Sequence, residues 1–197
     1  MRQNKIDKLI YLFSKLPGVG ARSAKRIVLH LLKQRDRVML PIAEAMLDTA
    51  HAVQECSICN NLDESVLCAI CADQKRNKKI LCVVESVIDL WAIENAKFFS
   101  GTYYVLGNVL SAGSGNAPKS INIEKMLKTI EQAGVEEVII ATNATMEGQT
   151  TAFYITEKLK KINIKVTRFA HGIPIGGEFD YMDEVTISTA FNSRQFF

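Results

Sequence analysis

Four cysteines fall in one short run, ECSICNNLDESVLCAIC, at Cys56, Cys59, Cys68 and Cys71. The spacing is Cys-x2-Cys, eight residues, Cys-x2-Cys. Each Cys-x2-Cys turn lets two thiolates converge on one side of a tight loop. Two such turns together offer four sulfurs in the tetrahedral arrangement that Zn²⁺ accepts without strain. Two disulfides are the competing use of these residues, and they require an oxidising compartment. The opening stretch, MRQNKIDKLIYLFSKLPG, has no clean apolar run followed by a small-residue cleavage site, so it does not read as a signal peptide. One structural zinc per chain is therefore expected, with four cysteine ligands and no position left for water. The fifth cysteine, Cys82, lies in an apolar strand-like run and reads as a small buried residue.

The cysteine run divides the chain by texture and by charge. Residues 1–37 carry ten Lys/Arg against two acids, a balance of +8, which leaves −5 for the remainder of a chain whose total is +3. Such a split suggests a polyanion-binding end and a differently employed end, although a charge run is often only a solvated helical face. No segment is long and apolar enough to span a bilayer, so no membrane role is expected and the chain reads as cytoplasmic.

Before the cysteines, Ile6, Leu9, Ile10 and Phe13 recur at helical spacing. Pro17-Gly18-Val19-Gly20 breaks that helix, and a second is expected over 21–33, with Ala24, Ile27, Val28 and Leu31 inward. Leu16-Pro17-Gly18-Val19-Gly20 between two short helices resembles the helix-hairpin-helix motif. There, main-chain N–H groups at a helix N-terminus receive a phosphate oxygen without reading base identity. Gly18 and Gly20 supply the turn, and Arg22, Lys25 and Arg26 follow at once as further phosphate contacts. A plain helical hairpin is the bland alternative. A third helix, roughly 38–53 and delayed by Pro41, is expected to pack on the first two. His30 and His51 carry no assigned role.

After the cysteines the pattern alternates between apolar strands and amphipathic helices. Strands are expected at 80–84, 103–106, 138–141 and 164–169, and helices at 88–95, 123–133 and 150–161, with Gly134 closing the second of these helices. This alternation implies a parallel sheet flanked by helices, with functional residues at the strands' carboxyl ends. Glu85 and Asp89 follow the first strand, and Asn143, Thr145 and Glu147 follow the third. A last helix is expected over 181–191, capped by Asp180. The stretch from Leu106 to Gly115 lacks Gly-x-x-x-x-Gly-Lys-[Ser/Thr] and is read as a loop rather than a P-loop. His171 is read as a solvated loop histidine.

The sheet region resembles the Toprim domain of topoisomerases and primases. That family places a glutamate after the first strand and an Asp-x-Asp pair after a later one, around Mg²⁺. Glu85 matches the first position, but Asn143-Ala144-Thr145 stands where the pair belongs. A hard divalent cation prefers charged oxygen ligands, so nuclease, primase or topoisomerase chemistry is not expected. A Mg²⁺-dependent nuclease of the Toprim type is the alternative. At this point Glu85 could equally cap the following helix, and Glu147 could be a turn acid beside Gly148.

Taken in order, the hairpin, the four-cysteine knuckle, EGQTTAFYI (147–155) and the tail beginning GIPIGGEFDYMDEVT resemble the bacterial recombination mediators of the RecR family over essentially the whole chain. The fold expected is α/β, with a helix-hairpin-helix region over 1–54, a four-cysteine zinc finger over 55–72, a Toprim domain over 79–174 and a C-terminal oligomerisation tail over 175–197. The resemblance implies a non-enzymatic mediator of recombinational DNA repair. Its members form homo-oligomeric rings or clamps, usually tetramers, through their N- and C-terminal regions. They bind single- and double-stranded DNA without sequence preference, and act with RecO and RecF to load RecA on gapped DNA. It implies DNA contacts at Arg22, Lys25, Arg26, Gly18 and Gly20, and a RecO-facing acidic patch at Glu85, Asp89 and Glu147. Gln149 stands where many relatives have an acid, and Ala112 where a proline is common. The cysteine cluster is then expected to act by position, joining a DNA-gripping end to a partner-docking end.

Overall fold

A computed structural model describes residues 4–110, 121–170 and 172–194. His171 and residues 111–115 of the glycine-rich stretch, Ala112 among them, lie outside these ranges. Two compact units are formed, residues 1–53 and 54–197.

In the first unit, α1 (Lys5–Phe13) is capped by Asn4, whose side chain accepts from the Asp7 N–H. The turn that follows uses Gly18 at φ +74°, a left-handed conformation costly for any residue with a Cβ. Helix α2 (Ala21–Lys33) then buries Ala24, Val28 and Leu31, the i, i+4, i+7 stripe expected from sequence. A π-helical segment (Arg35–Met39) runs without a break into α3 (Leu40–Ala52), which has Pro41 in its first turn. The expected packing of α3 on the first two helices is not found. No residue of α3 is buried, and Met46 and Leu47 are 65% and 60% exposed.

The second unit begins with the antiparallel pair β1 (Gln54–Glu55) and β2 (Leu62–Asp63) and the one-turn helix α4 (Ala69–Ala72). The main sheet follows. Strand β3 (Asn77–Val84), helix α5 (Val87–Asn95), strand β4 (Gly101–Val105), helix α6 (Ile123–Ala133), strand β5 (Glu137–Ala141), helix α7 (Met146–Leu159) and strand β6 (Lys165–Arg168) alternate along the chain. All strand pairs are parallel, in the order β4-β3-β5-β6. A 3₁₀ turn (Phe179–Tyr181) and α8 (Glu184–Asn192) complete the described chain.

Strand alternation splits the apolar residues between two layers. Leu81, Val83, Tyr104, Val138 and Ile140 pack on one face with Met126 and Ile130 of α6 and Ile155 and Leu159 of α7. Cys82, Val84, Tyr103, Val105 and Ala141 pack on the other with Leu90 of α5. Both faces are therefore covered, which is why β3 reads as an unbroken apolar run.

Helix boundaries moved for identifiable reasons. Helix α7 starts one turn before the expected Thr150, because the Thr145 hydroxyl accepts from the Gly148 N–H and caps it. Helix α8 starts at Glu184, capped by Asp183 and not by Asp180, which lies in the preceding 3₁₀ turn. Gly134 closes α6 in the left-handed conformation, as expected.

Candidate functional site

Three groups of residues carry chemistry. The first is the cysteine cage. The sulfurs of Cys56, Cys59, Cys68 and Cys71 all lie within 4.8 Å of one another, and Cys59 Sγ is 3.5 Å from Cys68 Sγ. Four thiolates tetrahedrally placed at about 2.3 Å from a zinc ion stand about 3.8 Å apart, so the spacing fits the metal. Main-chain N–H groups of Asn61 and Cys68 point at Cys59 Sγ and Cys56 Sγ, and so stabilise thiolate charge. The thiols also argue for a cation electrostatically. The Cys59 thiol is pulled down to about 6, first by its hydrogen bond with Cys71, whereas burial pushes Cys68 up and the same Cys59 contact pushes Cys71 up. Four thiolates this close repel one another, and a divalent cation resolves that repulsion. Cys82 stands apart in β3, buried and with its thiol raised by desolvation.

The cage is built into the sheet's edge. The Cys59 carbonyl accepts from the Val105 N–H at 2.8 Å, and Asn60 Nδ2 donates to the Val105 carbonyl at 2.8 Å. Asn60 reaches this position with φ +62°. Ile70 packs against both the cysteines and the α5 side of the sheet. The buried Asn61 accepts from Trp91 Nε1 at 3.2 Å. None of these polar ties is visible in the sequence, since asparagines in a loop carry no pattern that names a distant partner.

The second group is the hairpin. Gly20 is the N-cap of α2 and offers no side chain to the first-turn N–H groups. Those donors, together with the helix dipole, are suited to an anion. Arg22, Lys25 and Arg26 are all exposed; helical spacing sets Arg22 and Arg26 opposite the buried Ala24 and Val28, with Lys25 on the flank. The structure thus brings Gly18, Gly20 and the three cations into one local element.

The third group is the carboxylate site at the sheet's carboxyl edge. Helix α5 leaves β3 for one face and α7 leaves β5 for the other, so the ends of β3 and β5 flank a topological switch point, where α/β sheets place their sites. Glu85 sits there, and Asn143 answers it. The Asn143 main-chain N–H donates to Glu85 Oε1 at 2.8 Å, and Asn143 Nδ2 donates to Glu85 Oε2 at 2.7 Å. Both carboxylate oxygens are thereby occupied by neutral donors. Gly148 is buried against the pair: a Cβ there would lie 2.2 Å from the Asn143 carbonyl oxygen and 2.7 Å from Glu85 Oε1. Asp89 does not turn to Glu85. It forms a capping box with Ser86, accepting from the Ser86 N–H at 2.9 Å and from its hydroxyl at 2.6 Å. Glu147 is exposed in the first turn of α7, where its charge suits the dipole, so it is a helical residue and not a turn acid. Thr151 ties this end of α7 to the loop after β4, accepting from the Leu110 N–H at 2.9 Å. Of the three expected acids, then, only Glu85 lies in the switch-point crevice, Asp89 is spent on capping, and Glu147 faces solvent.

A further polar cluster was not anticipated. Arg76 donates to Glu94 and to the carbonyls of Phe99 and Gly101, and the Tyr103 hydroxyl donates to Glu94 Oε2 at 2.9 Å. It clamps the chain leaving the cysteine cage onto α5 and β4.

Comparison with known proteins matches four successive segments. Residues 6–50 match the RecR helix-hairpin-helix family, 53–73 the RecR four-cysteine zinc-finger domain, 79–170 the Toprim domain and 172–195 the RecR C-terminal family. The chain is 49% identical to the recombination protein RecR of Anaplasma phagocytophilum over 96% of its length and 97% of the relative's. It is 48% identical to that of Ehrlichia chaffeensis with the same coverage, and 48% identical to that of Rickettsia felis over 98% of its length and 96% of the relative's. The four-cysteine cage holds one structural zinc.

Proposed function

The chain belongs to the RecR family of recombination proteins, and from that premise we propose that it is a non-enzymatic mediator of recombinational repair that grips DNA through its helical hairpin. The observation that carries the reading is the exposed Arg22, Lys25 and Arg26 face of α2 beside the Gly20 N-cap, which has no side chain to satisfy its donors. Such a face holds phosphates of single- or double-stranded DNA and ignores the bases, so binding is sequence-independent and steeply salt-dependent.

Non-enzymatic action is supported by the state of Glu85. Its oxygens accept two hydrogen bonds from Asn143, and the second carboxylate position of the Toprim pattern is Thr145, whose hydroxyl is spent as the α7 cap. A site with one engaged carboxylate offers Mg²⁺ too little charge for phosphoryl transfer. The Mg²⁺-dependent nuclease reading therefore ranks second.

Assembly as a homo-oligomer, a tetrameric ring or clamp, is supported by apolar surface at both ends of the chain. In the first unit Leu40, Met46 and Leu47 of α3 are exposed, and near the C-terminus Phe179, Tyr181, Val185 and Phe191 are exposed. Exposed apolar side chains of this size on one helix or turn are surfaces that a second copy can cover. In this reading RecO docks on the acidic side around Glu85 and Glu147, RecF joins the assembly, and RecA is loaded on gapped single strands. Asp89 contributes to that side by holding α5 in place. No helix among the described residues is long and apolar enough to cross a membrane, and none is needed for this role.

The test is a low-salt mobility-shift assay with a single-stranded oligonucleotide. Arg22→Glu together with Arg26→Glu is expected to lower affinity by about 100-fold or more while leaving the oligomer's mass unchanged. Unchanged affinity would move the DNA site elsewhere.

A further inference from the structure

A second charged surface lies away from the carboxylate site. Between the cysteine knuckle, the outer edge of β4 and the C-terminal half of α6 runs an open cleft of about 450 Å³. That volume is in the range that takes a small ligand or a few residues of peptide. Its polar rim carries Lys78, Lys125 and Lys128, and its lining contains no carboxylate. Its floor is aliphatic, from Ile58, Leu81 and Val135. Lys125 is anchored, donating to Asn60 Oδ1, while none of the three lysines pairs with an acid among the described residues. Lys78 donates to Gln74 Oε1 at 3.3 Å, and it lies where the β3–β4 register shifts between the Asn77–Gly101 and Leu81–Thr102 pairs.

We propose that this cleft docks an extended acidic peptide of a partner protein, with one aliphatic side chain on the Ile58–Leu81–Val135 floor and flanking carboxylates on Lys78, Lys125 and Lys128. Charge complementarity selects an anion, and the rest of the lining selects the class. Nucleic-acid grooves add arginine forks and exposed aromatic rings on which bases stack. The cleft has no arginine, and the Tyr103 ring is turned to the opposite face of the sheet, with its hydroxyl on Glu94. Lysines as point charges over an aliphatic floor suit carboxylates beside an apolar side chain. This inference stands independently of the hairpin's role in DNA binding.

The test is fluorescence anisotropy of a fluorescein-labelled Asp-Glu-Leu-Asp-Glu peptide titrated with the full-length, zinc-loaded protein at low salt. Saturable binding is expected, with no binding of the Asn-Gln-Leu-Asn-Gln counterpart. Lys78→Glu with Lys128→Glu is expected to weaken it about ten-fold or more, because both sites would become repulsive. Lys97→Glu with Lys161→Glu, a charge-matched change on exposed residues outside the cleft, is expected to leave it unchanged. Absence of binding by the unsubstituted protein, equal binding of the neutral peptide, or equal losses in the two variants would overturn the proposal. A dT oligonucleotide should keep its affinity in Lys78→Glu with Lys128→Glu; a loss there would make the cleft a nucleic-acid surface. A changed oligomer mass in that variant would make it a contact between copies. Either result overturns the peptide assignment.

Discussion

At the scale of single residues, the switch-point crevice is organised by two close approaches. Glu85 and Asn143 are locked by two hydrogen bonds, and Gly148 lets α7 start directly against them. Gly148→Ala places a Cβ into the Asn143 carbonyl oxygen, which is backbone and cannot swing away. It should cost about 1–3 kcal/mol of stability, read as a lowered unfolding midpoint in urea, whereas Ala144→Gly should cost well under half of that. Equal midpoints for Gly148→Ala and the unsubstituted protein would show that α7 does not approach so closely. Glu94 makes a second prediction. Its hydrogen bond from Arg76, and then that from Tyr103, hold its carboxyl below the usual 4.5. A depressed folded-state value means that the carboxylate adds stability above the unfolded-state value and loses it as pH falls through the lower, folded-state value. Stability should therefore decline as pH falls through the usual carboxylate range and below it. Glu94→Gln should flatten that part of the profile; an identical slope in the variant would remove Glu94 as its source.

At the scale of elements, the zinc knuckle is both a metal site and the cover of the β4 edge. Cys59 and Asn60 satisfy the main chain of Val105, and Ile70 bridges into the core. Removing zinc takes away the cation that holds the four cysteine sulfurs together, so the knuckle should open while β3 and β5, buried in the sheet's centre, persist. Hydrogen exchange after chelation should show residues 55–72 losing protection and residues 80–84 and 138–141 keeping it; an unchanged knuckle would contradict the metal's structural role. The sequence made much of this legible. Cysteine spacing located the cage, the unbroken apolar run of β3 announced a strand buried on both faces, and Gly134 marked the end of α6. Where sequence reasoning fell short, the determining contacts were tertiary or capping contacts. Thr145 and Asp183 moved the starts of α7 and α8 by one turn or less. The Asn143–Glu85 lock joins residues 58 positions apart, and the Arg76–Glu94–Tyr103 clamp joins residues 18 and 9 apart, with no periodicity to reveal them. Helix α3 has an apolar side that suggested packing within the chain, yet buries nothing. Amphipathicity reports that a face needs a partner and not which molecule supplies it.

At the scale of the whole molecule, a chain with a net charge of only +3 concentrates +8 in its first 37 residues, and exposes apolar residues near both ends. In the proposed function, copies associate through the apolar surfaces, and the basic hairpins of the assembly together grip the phosphate backbone. Several weak phosphate contacts per copy then add through multivalency, and each released counterion steepens the salt dependence. The most direct test is the mass of the zinc-loaded protein in solution, measured with and without a single-stranded oligonucleotide at about 50 mM and about 500 mM salt. The account predicts a homo-oligomer of constant mass at both salts, the tetramer by the reading above, that carries the oligonucleotide at low salt and releases it at high salt. A monomer at both salts, or an oligonucleotide complex indifferent to salt, would contradict it.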